Sequence, residues 1–279
     1  MAANPLEHVN DTGTWVFFES LGGGAEVHLP SFPVGFGHRF QITKFMIVEL
    51  LAALAIVAIY VWPGKLAQRA REGQPPKGLF WNTFESLLTF IRDEVAKPYI
   101  GEHDGDKYVP FLWSQFLFVL FCNLMGLVPF LASPTASLAV TAALALCSFF
   151  VIHGGAVAKH GPLHYAQSYV PHTGLPLWAS LPLIILIVSI EVFGHFIKAF
   201  VLAVRLFANM LGGHTVVAVI LGFIVLAKNA GALFWPVTAA SVVGVVALSF
   251  LELFVAFLQA YIFVFLTAIF LGGTLHPEH

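Results

Sequence analysis

Two apolar segments near the carboxyl end are longer than a bilayer is thick, and they constrain the fold more than any other feature of the chain. The first runs from Trp178 to about Ala227 and the second from Ala239 to about Leu271. As helices rising 1.5 Å per residue they would measure about 70 Å and about 50 Å, against a hydrocarbon core of about 30 Å. We therefore predict two long, strongly tilted helices that form a hairpin at residues 228–236.

The composition of the whole chain is that of a protein dissolved in lipid. Hydrophobic residues make up 58% of the 279 residues, charged residues make up 10%, and the mean hydropathy is +0.86. These values predict a multi-span membrane protein. A net charge of -2 offers no basic surface for nucleic acid, and no glycine-rich phosphate loop is present. We therefore expect neither nucleic-acid binding nor direct nucleotide binding, so that any nucleotide chemistry takes place on another chain.

Three further crossings are predicted upstream, at residues 45–62, 109–131 and 136–158, with the first ending at Pro63. Residues 80–100 have apolar positions at helical spacing beside many charges, which predicts an amphipathic helix on the inner surface. The expected fold is an all-α polytopic membrane protein with about five membrane-crossing helices and this one inner-surface helix.

Charge asymmetry predicts the orientation. Four basic residues follow the first crossing, which places that loop in the cytoplasm and the acidic amino-terminal segment outside; they are Lys65, Arg69, Arg71 and Lys77. We expect an extracytoplasmic segment at 1–43, one transmembrane domain at 44–272 and a short cytoplasmic tail at 273–279.

Residues 159–177 are polar and contain His160, His164 and His172. A metal site is one interpretation of these histidines. No HxxxH pair on a helix and no adjacent carboxylate supports it, so we expect a solvated cytoplasmic loop and no bound metal.

Arg205 lies within a long segment that carries almost no other charge. A guanidinium in mid-bilayer costs about 2.5–3.5 kcal/mol and cannot lose its proton to escape that cost. At 100° per residue, Glu191, Lys198 and Asn209 fall within about 40° of Arg205, so one face of the helix is polar. Snorkelling explains Glu191 and Lys198 equally well, but it does not suit a residue near the middle of the segment.

A second polar stripe lies on the last helix, where Ser249, Glu252 and Gln259 share one face by the same spacing. His214 is nine residues beyond Arg205, nearly opposite to it on a straight helix. Such a histidine is either a hydrogen-bonded packing residue or, with a carboxylate on a neighbouring helix, part of a proton relay.

Three motifs resemble subunit a of the F-type ATP synthase membrane sector. They are Arg205-Leu-Phe-Ala-Asn209-Met, Asn123-Leu-Met-Gly-Leu-Val-Pro129 and Leu258-Gln259-Ala260-Tyr261-Ile262-Phe263. The resemblance extends over most of residues 40–272 and includes the order of the crossings. His214 and Glu252 stand where some members have glutamate and histidine, respectively. Ala199 replaces a proline found in many members, and the histidine-bearing loop is longer than usual.

The resemblance implies a proton-translocating stator subunit that faces a rotating ring of c subunits. Two offset half-channels would be separated by Arg205, the counter-charge to the ring carboxylate. The other implied translocation residues are Glu191, Lys198, Asn209, His214, Ser249, Glu252 and Gln259. Peripheral-stalk b subunits and membrane lipid are the further implied partners, the bacterial inner membrane is the implied location, and no cofactor is implied.

Two other classes of protein remain as alternatives. A stand-alone secondary transporter also uses intramembrane charges, but usually shows paired halves with broken helices, which this sequence lacks. An intramembrane metal or haem enzyme needs histidines at ligand spacing, and the histidines within the crossings look isolated from one another. Sodium-coupled members of the family exist, although His214 favours protons as the coupling ion.

Overall fold

The computed structural model describes residues 14–17, 25–34, 38–71, 79–128, 133–168 and 177–276. Two antiparallel β-hairpins come first, and no motif in the sequence predicted them. Strand β1, Thr14–Phe17, pairs with β2, Ala25–His28, and strand β3, Ser31–Val34, pairs with β4, His38–Gln41.

From Lys44 onward the described chain is helical. The α-helices are α1 Lys44–Arg71, α2 Leu79–Phe90, α3 Lys97–Ile100, α4 Glu102–Leu127, α5 Leu138–His160, α6 Pro162–Ser168, α7 Leu177–Ala227 and α8 Phe234–Leu275. A π-helical segment, Ile91–Ala96, joins α2 to α3. Short 3-10 helices, Pro134–Ala136 and Gly231–Leu233, precede α5 and α8.

Five described segments are long and apolar enough to cross a membrane, which confirms the predicted polytopic all-α class. They are Lys44–Val61, Glu102–Leu127, Leu138–His160, Pro182–Ala227 and Gly231–Leu275. The two long helices also form as predicted. Helix α7 is continuous over 51 residues and α8 over 42 residues, and residues 228–233 connect them. Their tilt and the orientation of the chain stay predictions.

Two elements differ from their predicted extent. The first crossing, predicted at residues 45–62, agrees with the apolar segment Lys44–Val61, but helix α1 itself continues past Pro63 to Arg71. The predicted loop 159–177 also contains a helix, α6, which begins at Pro162, where proline suits the first turn. His172 and the carboxyl end of the 109–131 crossing lie outside the described residues.

The chain forms two compact units, each assembled from several parts of the sequence. Unit 1 comprises Met1–Pro75, Leu117–Val140 and Leu206–Ala260. Unit 2 comprises Pro76–Phe116, Thr141–Arg205 and Tyr261–His279. Helices α4, α5, α7 and α8 each contribute residues to both units. The prediction of a single domain at 44–272 remains a prediction.

Unit 1 packs around the start of α1 and the end of α4. Phe45 and Val48 are buried together, and Met125 packs against them. The side-chain amide of Asn123 donates a hydrogen bond of 3.3 Å to the carbonyl of Ala256, which links α4 to α8. Because Asn123 is fully buried, this bond gives its amide nitrogen a partner and lowers the cost of burying that polar group.

Unit 2 packs the end of α8 against the helices around residue 100. The Tyr99 and Phe265 rings meet edge to face with their centroids 5.0 Å apart. Gly272 lies directly against the Tyr99 backbone, so that a Cβ at position 272 would be 2.7 Å from the Tyr99 carbonyl carbon. The hydroxyl of Ser148 on α5 accepts a hydrogen bond from the buried Gln115 on α4. These contacts give unit 2 a fixed framework around its polar side chains.

Candidate functional site

Arg205 is solvent-exposed on α7, a helix long enough to cross a membrane. It forms no ion pair or hydrogen bond with any residue in the part of the chain that the structure describes. An always-protonated guanidinium on an apolar spanning helix requires an anionic or strongly polar neighbour in the membrane. The described chain does not supply that neighbour.

A cavity of about 450 Å³ lies in unit 2. Its polar wall includes Glu191 and Lys198, two of the residues predicted to share the Arg205 face. The other lining residues are Tyr165, Ser168, Ile190, Gly194, His195, Ile269, Phe270, Gly273 and Thr274. Because each water needs only about 30 Å³ in the liquid, this cavity has room for a chain of waters beside the Glu191 carboxylate.

The polar side chains of this cavity are held by local contacts. The His195 Nδ1 atom is 2.9 Å from the carbonyl of Glu191, one turn earlier on α7. The Lys198 ammonium lies over the Phe270 ring of α8, 5.1 Å from its centroid, in a cation–π contact. Glu191 and Lys198 thus present one carboxylate and one ammonium group to the same cavity.

A second, small pocket of about 20 Å³ lies beside this cavity within unit 2. His195, Lys198 and Phe270 line both spaces, whereas His153 on α5 lines only the small pocket. The His153 and His195 rings meet edge to face with their centroids 5.0 Å apart. The histidines in the crossings are therefore not all isolated, contrary to what the sequence indicated.

Unit 1 contains a different cavity, of about 270 Å³. It brings together Asn209 and His214 from α7 with Glu252 from α8. The remaining lining residues are Leu127, Ala208, Met210, Gly212, Gly213, Val216, Leu248, Leu251 and Val255. One imidazole and one carboxylate from different helices therefore face a common space, which is the arrangement that a proton relay requires.

Glu252 reaches this space over Gly213. A Cβ at position 213 would overlap a carboxylate oxygen of Glu252 and lie 3.0 Å from its Cδ atom, so glycine leaves room for the acid. The Oε1 atom of Glu252 is buried and accepts no hydrogen bond from any residue of the described ranges. A buried carboxylate oxygen is stable only with a proton or a water partner, since isolated burial of the charge is costly.

The structure does not bring Ser249 and Gln259 into either cavity. Ser249 is exposed, and its hydroxyl donates a 2.9 Å hydrogen bond to the carbonyl of Val245 on its own helix. Gln259 is half-buried on α8. Both remain on the helix that carries Glu252, at the predicted spacing.

Sequence reasoning missed three residues of the unit 2 site: His153, Tyr165 and His195. For His195 a signal was available, because it lies four residues after Glu191 and so on nearly the same face of α7. For His153 and Tyr165 the decisive fact is a contact between α5 and α6, which no spacing on a single helix indicates. Among the described residues, no group of three histidine, cysteine or acidic side chains is arranged to hold a metal ion.

The family described as "ATP synthase A chain" matches this sequence from residue 46 to residue 272. That match covers most of the chain, including every lining residue of the unit 1 cavity and all those of the unit 2 cavity except Gly273 and Thr274. The chain belongs to the ATP synthase A chain family.

Relatives in this family are similar over nearly the whole chain. ATP synthase subunit a 2 of Chlorobaculum tepidum is 38% identical over 98% of this chain and 73% of its own length. ATP synthase subunit a of Myxococcus xanthus is 40% identical over 86% of this chain and 76% of its own length. The subunit a of Chloroherpeton thalassium is 38% identical over 98% and 77%, respectively. Family membership and the five apolar helices together make this a multi-pass membrane protein of the bacterial inner membrane.

Proposed function

We propose that this chain is the proton-translocating stator subunit of an F-type ATP synthase. It would work against a rotating ring of c subunits, each carrying a carboxyl group in mid-membrane. The observation that carries the proposal is Arg205, an exposed guanidinium without a charged partner among the described residues, on a membrane-spanning helix of a subunit a family member. A ring carboxylate is a counter-charge that fits this position.

Arg205 would act on the ring carboxyl through charge. A protonated carboxyl group is neutral and crosses the lipid at low cost, whereas the ionised form requires a cation nearby. The guanidinium therefore favours loss of the proton as each ring carboxyl arrives, and it repels a proton that might otherwise cross directly. Because the guanidinium keeps its proton at every accessible pH, it is a permanent barrier.

The two cavities are suited to two separate half-channels. Along α7, the lining residues Glu191 and Lys198 precede Arg205, and the lining residues Asn209 and His214 follow it. Protons would enter from outside through the unit 1 cavity, past His214 and Glu252, with Ser249 and Gln259 along the same helix. They would leave inward through the unit 2 cavity.

The partners and orientation belong to the same proposal. The amino terminus would lie outside and the carboxyl terminus in the cytoplasm, with peripheral-stalk b subunits holding the chain against the turning ring. The chain would bind no nucleotide itself, because ATP is made elsewhere in the complex. The proton-motive force would set the direction of rotation. An imidazole in the path favours protons as the coupling ion.

Replacement of Arg205 tests the proposal in membrane vesicles that contain the whole complex. Arg205→Ala and Arg205→Lys should both abolish ATP-driven proton pumping, since a lysine can lose its proton and is a poorer barrier. Lys228→Ala is the matched control, because Lys228 is an exposed cation in the turn after α7. Normal pumping by either Arg205 variant would refute the assignment.

Purification separates the proposal from a stand-alone transporter. A stator subunit should co-purify with a ring of small hairpin proteins, whereas an independent secondary transporter should be active after reconstitution alone. Uptake of a solute by the isolated chain would favour the transporter. Sodium dependence of ATP hydrolysis by the whole complex would assign sodium as the coupling ion.

A further inference from the structure

We infer that His153, held by Tyr165 and facing His195, forms a proton relay between the two spaces in unit 2, and that these residues carry the proton on its way out past Glu191. The inference rests on the proposed function, because it names how protons leave through the half-channel there. It also gives a role to α6, which lies in the histidine-bearing segment that was predicted from the sequence to be a loop.

The two spaces are connected by side chains. The small pocket is walled by Ser148, Leu202 and His153, and the large cavity is walled by Tyr165 and Glu191. His153 and Tyr165 each line only one of the two spaces, yet the His153 Nδ1 atom and the Tyr165 hydroxyl share a hydrogen bond of 2.5 Å. This bond is a short polar connection from one space to the other.

The volumes explain why a relay is needed. The small pocket, at about 20 Å³, holds about one water, whereas the large cavity holds many. A continuous water wire therefore does not extend through the small pocket, and a side chain must carry the proton over the gap. Imidazole is suited to this, because one ring nitrogen accepts a proton while the other releases one.

The transfer balances over three proton movements. With His153 resting as the Nδ1–H tautomer, its Nε2 atom accepts the excess proton of a hydronium ion in the small pocket, which leaves a neutral water there. The Nδ1 proton then passes to the Tyr165 oxygen, and the Tyr165 hydroxyl proton passes to water in the large cavity. One proton enters and one leaves, and both side chains end neutral. For the next proton, the His153 ring turns about its Cβ–Cγ bond, so that the protonated nitrogen again donates towards the large cavity and no proton moves back between the two spaces.

Groups on the neighbouring helices face this pair. Helix α7 presents Glu191, His195 and Lys198, and α6 presents Tyr165; the α8 residues that line the two spaces are not titratable. The Lys198 cation disfavours an excess proton that stays on either imidazole, and the Glu191 carboxylate attracts the proton once it reaches the large cavity. His195, with its ring against that of His153, orients that ring.

The test uses membrane vesicles containing the complete ATP synthase and measures proton-driven ATP synthesis per assembled complex. His153→Gln keeps a hydrogen-bonding side chain but cannot relay a proton, so the rate should fall at least about tenfold. Tyr165→Phe should lower it as well, since it removes only the hydroxyl. His164→Gln is the matched control, because His164 is an exposed histidine on the same helix as Tyr165 and lines neither space.

Chemical rescue distinguishes a relay from a packing role. In His153→Gly, imidazole added on the inner side should restore much of the lost rate, because it occupies the space of the missing ring. A loss that imidazole leaves unchanged assigns His153 a structural role and overturns the inference. A normal rate in Tyr165→Phe also overturns it, even where the His153 variants fail to assemble.

Arg205→Ala in the same vesicles separates this inference from the proposed function. If Arg205→Ala is inactive and His153→Gln is normal, the relay is wrong while the stator role stands. If Arg205→Ala is normal, the stator role fails, and the relay fails with it.

Discussion

The carboxylate of Glu252 occupies the space that a side chain at Gly213 would need. A Cβ built on Gly213 would approach the Glu252 Cδ atom to 3.0 Å and its Cγ atom to 3.2 Å, with an oxygen closer still. The adjacent Gly212 has no atom within 4 Å of the corresponding position. Of these two neighbouring glycines in the cavity wall, only Gly213 leaves space that the Glu252 carboxylate occupies.

Gly213→Ala should displace the Glu252 carboxylate and slow proton transfer through the unit 1 cavity. We expect ATP-driven pumping to fall about tenfold or more, since misplacing a proton-transfer group by about 1 Å has effects of this size. Gly212→Ala adds the same methyl group next to it and leaves Glu252 in place. The comparison of their pumping rates in membrane vesicles checks the contact, and equal rates in the two variants would contradict it.

Glu252→Gln should slow proton uptake while the complex still assembles. The amide has nearly the shape of the acid but cannot bind and release a proton, so we expect a loss of at least about tenfold in ATP synthesis. Glu49→Gln, on α1 of the same unit, is the control, since Glu49 does not line the cavity. Synthesis at the normal rate in Glu252→Gln would remove this acid from the path.

The fold was largely predictable because apolar length is a strong signal. Helices α7 and α8 were expected from two segments too long for one perpendicular crossing, and both form without interruption. The short elements were not predictable in this way. Helix α6 spans only seven residues in a segment rich in glycine, proline and histidine, and the two amino-terminal hairpins have four-residue strands. The sequence patterns of such short elements are too brief to be distinguished from the turn-forming residues around them.

The candidate site could be predicted from the sequence only where its residues lie on the same helix. Helical spacing placed Glu191 and Lys198 on one face of α7, and both line one cavity. The pairing of His153 with His195 depends on how α5 packs against α7 within unit 2, and the sequence of neither helix contains that information. Tertiary contact, rather than periodicity, decides which isolated histidines become partners.

Of two aspartates near the start of α4, Asp104 should contribute more than Asp106 to the stability of the folded protein. Asp104, with only 16% of its side chain exposed, accepts hydrogen bonds from Lys159 at 2.7 Å and Lys107 at 3.0 Å. Asp106 pairs with Arg92 at 2.7 Å, but both side chains are nearly half exposed. An exposed pair is weakened by solvent screening and adds little stability, whereas Asp104 is less exposed and accepts hydrogen bonds from two ammonium groups.

Asp104→Asn should therefore lower the melting temperature of the detergent-solubilised complex more than Asp106→Asn does. The Lys159 bond joins α4 to the end of α5, so its loss also loosens a contact between helices. Thermal unfolding of both variants under the same detergent and salt conditions measures the difference. At high salt, Asp106→Asn should no longer lower the melting temperature, because salt already screens the exposed ion pair in the unmodified protein. An equal loss in the two variants would be inconsistent with burial as the deciding factor.

Gly272→Ala should destabilise unit 2 more than any of the glycine changes above. A Cβ at position 272 would collide with the Tyr99 carbonyl, and a backbone group cannot turn aside as the end of a flexible side chain can. Overpacking of this kind costs about 1–3 kcal/mol or more, because α8 must move away from residues 99 and 100. Gly273→Ala is the matched control for stability, since no atom lies within 4 Å of its Cβ position. Thermal unfolding should distinguish the two, and a melting temperature of Gly272→Ala equal to that of Gly273→Ala would mean that α8 is not held against Tyr99.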